Sequence, residues 1–554
     1  MRAFALSLTL IPSLLAAQSP PLPLKYTPRP TSAAISAGDL MSRLYVFADD
    51  SMMGRETGTR GHVMSTDYIA RELRRLGLEP AGDNKTYFQS VPMVNRPFDV
   101  ARSSLSVNGA TLAAGTDFVP QTFRGMPRAI DGATVIFCGT YGDTAGLPTA
   151  EQLRGKIVVF ADGRGFGAGA LGGAVWGAAA IARVASPRML AQTLRTATWP
   201  TANQAMRLAV PPADAPLTIH VSDRAAEALL GVPLAQATRG MVGKRVRGAI
   251  VFAETRAPAR NVVAILRGRD PRLRNTYVAL GAHSDHVGLT PDAIDHDSAR
   301  AYDALRAATL AGVPAALQGR PEVRARLDSI RVNLDSVHRL RPARRDSIRN
   351  GADDDGSGSM VLLELAEAFA KAATKPRRSL LFVWHTAEEK GLLGSRWYAE
   401  NSTVPRDSIV AQLNMDMVGR GEASDFAGGG PTYLSLVGSH RLSSELGDTV
   451  ESVNRRQPRP FVIDYSWDAP GHPQNIYCRS DHFNYARWGI PVVFAWTALH
   501  GDYHEVTDEP QYISYDHMAR VANLMHDVTA NVANMSRRPT VDGQRMNPTG
   551  RCQQ

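Results

Sequence analysis

The 554-residue sequence predicts an α/β protein: a mixed, mostly parallel sheet with helices on both faces, joined to a smaller β-rich α/β unit inserted near its N-terminal end. Three observations carry that prediction. After Arg260 the chain alternates apolar strand-like runs with helical periodicity. Polar clusters fall where those strand-like runs end. Residues 98–256 carry a separate set of strand patterns, and 554 residues with 44% hydrophobic content are too many for one ordinary domain.

Taken in order, residues 1–17 place Arg2 before an apolar run from Phe4 to Leu15, then Leu15-Ala16-Ala17 ahead of Gln18-Ser19-Pro20, the pattern of an export signal. It predicts a secreted or periplasmic protein. The run is too short to span a bilayer, and no later stretch reaches the roughly 18 to 20 apolar residues a membrane helix needs. Residues 18–34 read as a Pro- and Ser-rich linker, and 35–97 as the first part of the main domain. Within it, Met64–Leu78 spaces Ile69, Leu73 and Leu76 as an amphipathic helix closed by Gly77-Leu78-Glu79-Pro80.

The unit at 98–256 is expected to hold strands at Thr134–Phe137, Lys156–Phe160 and Leu217–Val221. Between the last two, Gly167-Ala-Gly169-Ala-Leu-Gly172 fits a dinucleotide-binding fingerprint, but that fold wants an acidic residue about 20 positions on. None occurs between Asp162 and Asp214, so a packing turn is the reading.

Residues 257–535 form the rest of the main domain. Strands are expected at Asn261–Leu266, Thr276–Ala282, Ser379–Trp384, Ile409–Met415 and Pro491–Trp496, with a helix at Ser357–Ala372. A tail follows at 536–554. A helical excursion at 289–350 interrupts the domain, with helices at Ala301–Ala311 and from Pro321 to Val337 and beyond.

Net charge is +9, and the stretch Arg320–Arg349 alone holds nine Arg against Glu322, Asp328, Asp335 and Asp346. That concentration reads as a solvated face, and nucleic acid is not expected as a partner. Three cysteines, Cys138, Cys478 and Cys552, allow at most one bridge and no cysteine-based zinc site.

Five clusters carry chemistry: His283-Ser-Asp285-His286, Asp353-Asp354-Asp355-Gly-Ser-Gly, Glu388-Glu389, Asn414-Met-Asp416 and Tyr503-His504. Singly each has a bland reading, since a strand-end His is usually structural, a Glu pair usually faces solvent, and Asp caps helices. Jointly they offer only imidazole and carboxylate at the ends of elements of one sheet. That set suits zinc. Two ions about 3.5 to 4 Å apart need a shared carboxylate, one His and one further carboxylate each, and a separate base. Asp295-His296-Asp297, inside the excursion, mimics such a cluster and reads as incidental.

The motifs Ala282-His283-Ser-Asp285-His286, Gly351-Ala-Asp353-Asp354-Asp355-Gly-Ser-Gly358, Glu388-Glu389-Lys-Gly-Leu-Leu-Gly-Ser395, Asn414-Met-Asp416-Met-Val-Gly419 and Asp502-Tyr503-His504 resemble the di-zinc exopeptidase family of bacterial leucyl aminopeptidase and glutamate carboxypeptidase II. The resemblance implies metal ligands His283, Asp354, Glu389, Asp416 and His504, with Asp354 bridging two Zn²⁺ ions for which Co²⁺ or Mn²⁺ can substitute. It implies Glu388 as the base, Asp285 as the carboxylate that orients a ligand His, and Tyr503 as a donor to a developing oxyanion. It also implies a cis peptide bond at Asp354–Asp355, structural roles for Asp481 and His482, and a protease-associated domain at 98–256. The expected activity is removal of N-terminal residues from peptides. Alternatives left open are a carboxypeptidase or dipeptidase, a glutaminyl cyclase-like transferase, and a binding relative without catalysis. Oligomeric state is not legible. The excursion at 289–350 departs from the family's short link; it could be a lid, a clamp for one end of the substrate, or an exposed excursion with no chemical role.

Overall fold

The computed structural model describes residues 22–554 apart from 122–129, 144, 163–174, 176, 199–205, 210–215, 311–312, 314–320, 341, 427, 549, 551 and 553. The expected signal segment and the glycine-rich turn at 167–172 lie outside the described residues.

The main domain is a nine-stranded mixed sheet. Its centre is four parallel strands in the spatial order Ser379–His385, Tyr277–His283, Ile409–Met415, Val492–Trp496. Arg260–Leu266 pairs antiparallel on one flank and Tyr433–Val437 on the other. The central strands are buried along their whole length, as expected for parallel strands covered on both faces. Alternation along them separates two cores. Val262, Ala264, Val278 and Leu280 pack on the face covered by Ala37–Phe47, Gly358–Lys371 and Tyr515–Asn534. Val263, Ile265, Tyr277 and Ala279 pack on the other, with Tyr398 from the helix Leu393–Glu400 and Tyr485 from His482–Ala486.

The second unit is an eight-stranded sheet built from strands between Ser104 and Ala249. Thr134–Thr140, Ile157–Ala161, Ala180–Val184 and Leu217–Val221 run parallel at its centre. A three-stranded antiparallel sheet of Met93–Asn95, Met206–Leu208 and Thr255–Ala257 adjoins it. There Met93, Met206 and Leu208 cluster with Ala259 and with Ala387 of the main domain.

Three features differ from the sequence reading. The helix expected at Met64 begins at Arg60, because its first turn, Arg60-Gly61-His62, is too polar to register in apolar periodicity. In the excursion, the continuous helix expected from Pro321 is two helices, Pro321–Asp328 and Leu334–Leu340, with the Asn333 side chain accepting from the Ser336 N–H at 3.0 Å and so starting the second. The excursion also carries an antiparallel pair, Leu289–Asp295 with Arg345–Ile348, that its weak alternation hid. Cys478 and Cys552 form the one bridge the count allows, while Cys138 is buried and free.

Candidate metal centre

Each parallel strand of the main sheet delivers chemistry at its C-terminal end. His283 is the last residue of its strand, Asp416 follows Met415 directly, Glu388 and Glu389 lie just past His385, and His504 sits in the loop after Trp496. Asp354 enters from the wide turn Ala352–Ser357 that leads into the helix Gly358–Lys371. The Asp354–Asp355 peptide bond is cis.

The three neighbouring aspartates are distinguished by what their oxygens already hold. Asp353 accepts from the Gly419 N–H at 2.7 Å and lies 3.1 Å from His500 Nε2. Asp355 accepts from the N–H groups of His283, Gly358 and Met417. Only Asp354 points both oxygens at the imidazoles, Oδ1 lying 3.1 Å from His283 Nε2 and Oδ2 3.0 Å from His504 Nε2. Asp508 fixes the turn by accepting the backbone N–H groups of Asp353 and Asp354.

Around this shared carboxylate, among the described residues, potential donor atoms form two groups within 4.8 Å: His283, Asp354 and Asp416; and His286, Asp354, Glu389 and His504. Asp416 Oδ1 is 3.6 Å from His283 Nε2, and its Oδ2 accepts from Ser480 Oγ at 2.7 Å. Glu389 Oε2 is 3.0 Å from His504 Nε2. All five predicted ligands therefore meet at one place. Four of the five are nearly or fully buried, and His504 is a third exposed.

Glu388 stands beside the ligands, with Oε2 4.0 Å from His283 Nε2. Burial pushes its carboxyl well above the ordinary range; His283 opposes the rise, and Glu389 and Asp416 add to it. For Asp354 burial acts upward too, yet the contacts with His283 and His504 hold it well below the ordinary range. His504 is raised to about 10, with burial opposing and Glu389 and Asp354 prevailing.

Asp285 corrects one detail of the sequence reading. Its carboxylate lies 3.8 Å from His283 Nδ1, while its backbone carbonyl is 2.9 Å from that nitrogen. The carboxylate accepts instead from Thr57 Oγ1 at 2.9 Å and from the Glu388 N–H at 3.1 Å. It thus acts on the Glu388 loop, because the chain turns directly after the strand and brings a peptide oxygen under the ring. Tyr503 stacks on His504, ring centroids 3.9 Å apart, and its Oη accepts from Arg479 Nη2 at 3.2 Å. It shares with Asp354, Glu388 and Asp416 a cleft lined also by Arg479 and Ser480 and by the apolar side chains of Ile476, Phe494, Trp496 and Leu499. His482 stacks on Phe494, and Asp481 is buried 3.3 Å from His385, and neither belongs to the two donor groups. The Asp295-His296-Asp297 cluster is occupied by neighbours in the excursion: Arg344 bonds all three, and His338 also bonds Asp295.

The donors fit zinc. They are imidazole nitrogens and carboxylate oxygens, and His283 Nε2, Asp354 Oδ2, Glu389 Oε1 and His504 Nε2 are buried without a hydrogen-bond partner. Two contributors escaped sequence reasoning. His286 was in view within its motif but given no role, and a second His three residues past the first was the available signal. Arg479, a lone Arg before Ser480-Asp481-His482, offered none.

The model of peptidase family M28 matches residues 323–529. Leucine aminopeptidase 1 of Penicillium rubens is 28% identical over 183 residues, 31% of this chain and 45% of that protein. Leucine aminopeptidase 1 of Uncinocarpus reesii is 31% identical over 186 residues, 31% of this chain and 44% of that protein. The chain thus spans a little under half the length of these curated relatives. Among solved structures, the aminopeptidase from Aneurinibacillus sp. strain AM-1 aligns over 93% of this chain and 98% of its own, at 17% identity and a TM-score of 0.49. The matched segment holds Asp354, Glu388, Glu389, Asp416 and His504, and over it the chain is similar to peptidase family M28.

Proposed function

We propose that this protein is a zinc-dependent aminopeptidase that removes N-terminal residues from peptides, with His283, Asp354 and Asp416 holding one ion and Asp354, Glu389 and His504 the other. The observation that carries the reading is the shared carboxylate of Asp354, set between imidazoles 3.1 and 3.0 Å from its two oxygens, with Glu388 alongside and outside both donor groups. When bound, such ions acidify water and polarise a carbonyl oxygen.

The chain's own residues do the rest. Glu388 accepts the proton that water loses as it attacks the scissile carbonyl, and hands it to the leaving amine. Its burial beside other carboxylates favours the protonated form it must pass through. Asp285, through the Glu388 N–H, holds that loop in place. Ser480 donates to one oxygen of Asp416 and leaves the other facing His283. Because Arg479 donates to Tyr503 Oη, the phenol's own hydrogen is free to point into the cleft, toward negative charge developing on the substrate oxygen. The apolar part of the cleft lining suits an apolar substrate side chain.

Arg479 also favours a second reading, a dipeptidase or carboxypeptidase. Its hydrogen-bond partners, Tyr503 Oη and Gln474 Oε1, are neutral, so the guanidinium is suited to a substrate carboxylate. Residues 1–17 support export to the periplasm or exterior, and among the described residues no helix is long and apolar enough to cross a membrane. The eight-stranded unit is read as a protease-associated domain. A panel of reporter peptides with free or blocked termini, with metal analysis, tests these readings. Cleavage confined to free-amine substrates is expected; cleavage that requires a free carboxylate would give the second reading, and none with zinc bound would remove both.

A further inference from the structure

We propose that His286 is itself a metal donor, so that the two cation positions are chemically unequal: four protein donors at one, His286, Asp354, Glu389 and His504, and three at the other. This deepens, and rests on, the two-ion reading above. Zinc bonded at about 2.0 to 2.1 Å in a tetrahedron sets its donors about 3.3 Å apart. His286 Nδ1 is 3.0 Å from Glu389 Oε1 and 3.7 Å from Asp354 Oδ2, values that bracket that edge.

Direction distinguishes these contacts from ordinary pairing. His286 Nδ1 is buried and close to Glu389, yet forms no hydrogen bond, and the same holds for His283 Nε2 and His504 Nε2 against their carboxylates. Each ring nitrogen thus lies close to its carboxylate oxygen but out of hydrogen-bond alignment with it. Elsewhere His338, His440, His500 and His526 lie at 2.9 to 3.3 Å from carboxylates in aligned hydrogen bonds. His385 with Asp481 shares the misalignment, but with a single carboxylate and no second donor. The ring is also held in place. Gly351, at φ +55°, leaves room where a Cβ would meet His286 Cγ and Cδ2 at 2.5 Å. Closed four-donor sites are structural in kind, whereas catalytic ones keep a position open. The open position then falls to the set that Glu388 adjoins, His283, Asp354 and Asp416.

The rival role for His286, merely orienting Glu389, predicts a loss of metal affinity of about 10- to 100-fold on substitution. Zinc titration of the unaltered full chain and of His286→Asn against a competing chelator separates the two. We expect two zinc ions in the unaltered chain, and in the variant one ion retained with the other weakened by more than about 100-fold; a smaller weakening overturns the proposal. A crystal structure of the zinc-loaded unaltered chain gives a check that needs no variant. Anomalous density within about 2.2 Å of Nδ1 supports it, and a nearest ion beyond about 3 Å overturns it. A chain that binds no zinc at all fails the underlying reading, and does so before any variant is made.

Discussion

The molecule builds the same core twice and uses it differently. Both the nine-stranded and the eight-stranded sheet centre on four adjacent parallel strands. In the first, the strand ends carry His283, Glu388, Glu389, Asp416 and the loop to His504. In the second, the corresponding ends read Thr140-Tyr-Gly, Ala161-Asp, Val184-Ala-Ser and Val221-Ser-Asp. Asp162 there is paired with Arg183 at 2.9 Å, and Ser222 caps a helix through the Ala225 N–H. A parallel sheet offers a crevice at its strand ends, but only side chains that converge with unmet donor capacity turn it into a site.

The comparison breaks first at the shared carboxylate. Asp354→Ala removes a donor from both groups at once, so metal analysis should find both ions lost and turnover abolished; retained zinc would mean that the first sheet's strand ends are no more a metal centre than the second's. Glu388→Gln should keep near-normal zinc while turnover falls by about 10²- to 10⁴-fold, and steady-state kinetics with metal content read the two apart. Tyr503→Phe should lower kcat by about 10²-fold with little change in KM; an unchanged kcat would return Tyr503 to a packing role against His504. The smallest effect belongs to the second sheet. Ile219→Val, in its buried central strand, should lower stability by about 0.5 to 1.5 kcal/mol in denaturant titration and leave kcat and zinc content alone. A fall in kcat there would show that the two sheets are coupled.

Between these extremes lies the excursion at 289–350. Arg300 Nη1 contacts Asp502 Oδ2 at 2.7 Å, two residues from His504, and Arg420 reaches the same oxygen at 2.8 Å. Its guanidinium also stacks 3.7 Å over Tyr512. Arg300→Ala should therefore weaken zinc retention by less than about tenfold, since Arg420 still holds the same Asp502 oxygen. Loss of zinc comparable to Asp354→Ala would make the excursion part of the centre instead of its brace.

Much of this was legible early. The central strands are apolar along their length and end in polar residues, so Tyr277–His283 and Ile409–Met415 were placed within a residue of their bounds. The five proposed ligands follow from the family resemblance of their motifs, and their side chains meet at one place. The excursion's strand pair was not legible, because Leu289–Asp295 is largely exposed and lacks the alternation that burial imposes. Asp285 was misjudged in detail because carboxylate and carbonyl of one residue lie within reach of the same ring, a choice decided by backbone direction.

By itself the sequence determined the kinds of donor, their order along the chain and the strands that carry them, since these follow from residue chemistry and from continuous apolar runs that end in polar residues. Tertiary structure alone decided which aspartate of three is free, that His286 joins the cluster, and that, among the described residues, the donors converge at one of the two parallel cores. The physical reason is that donor capacity is a remainder. It is whatever backbone N–H groups and neighbouring charges leave unmet once distant segments are packed together, and no local pattern records that.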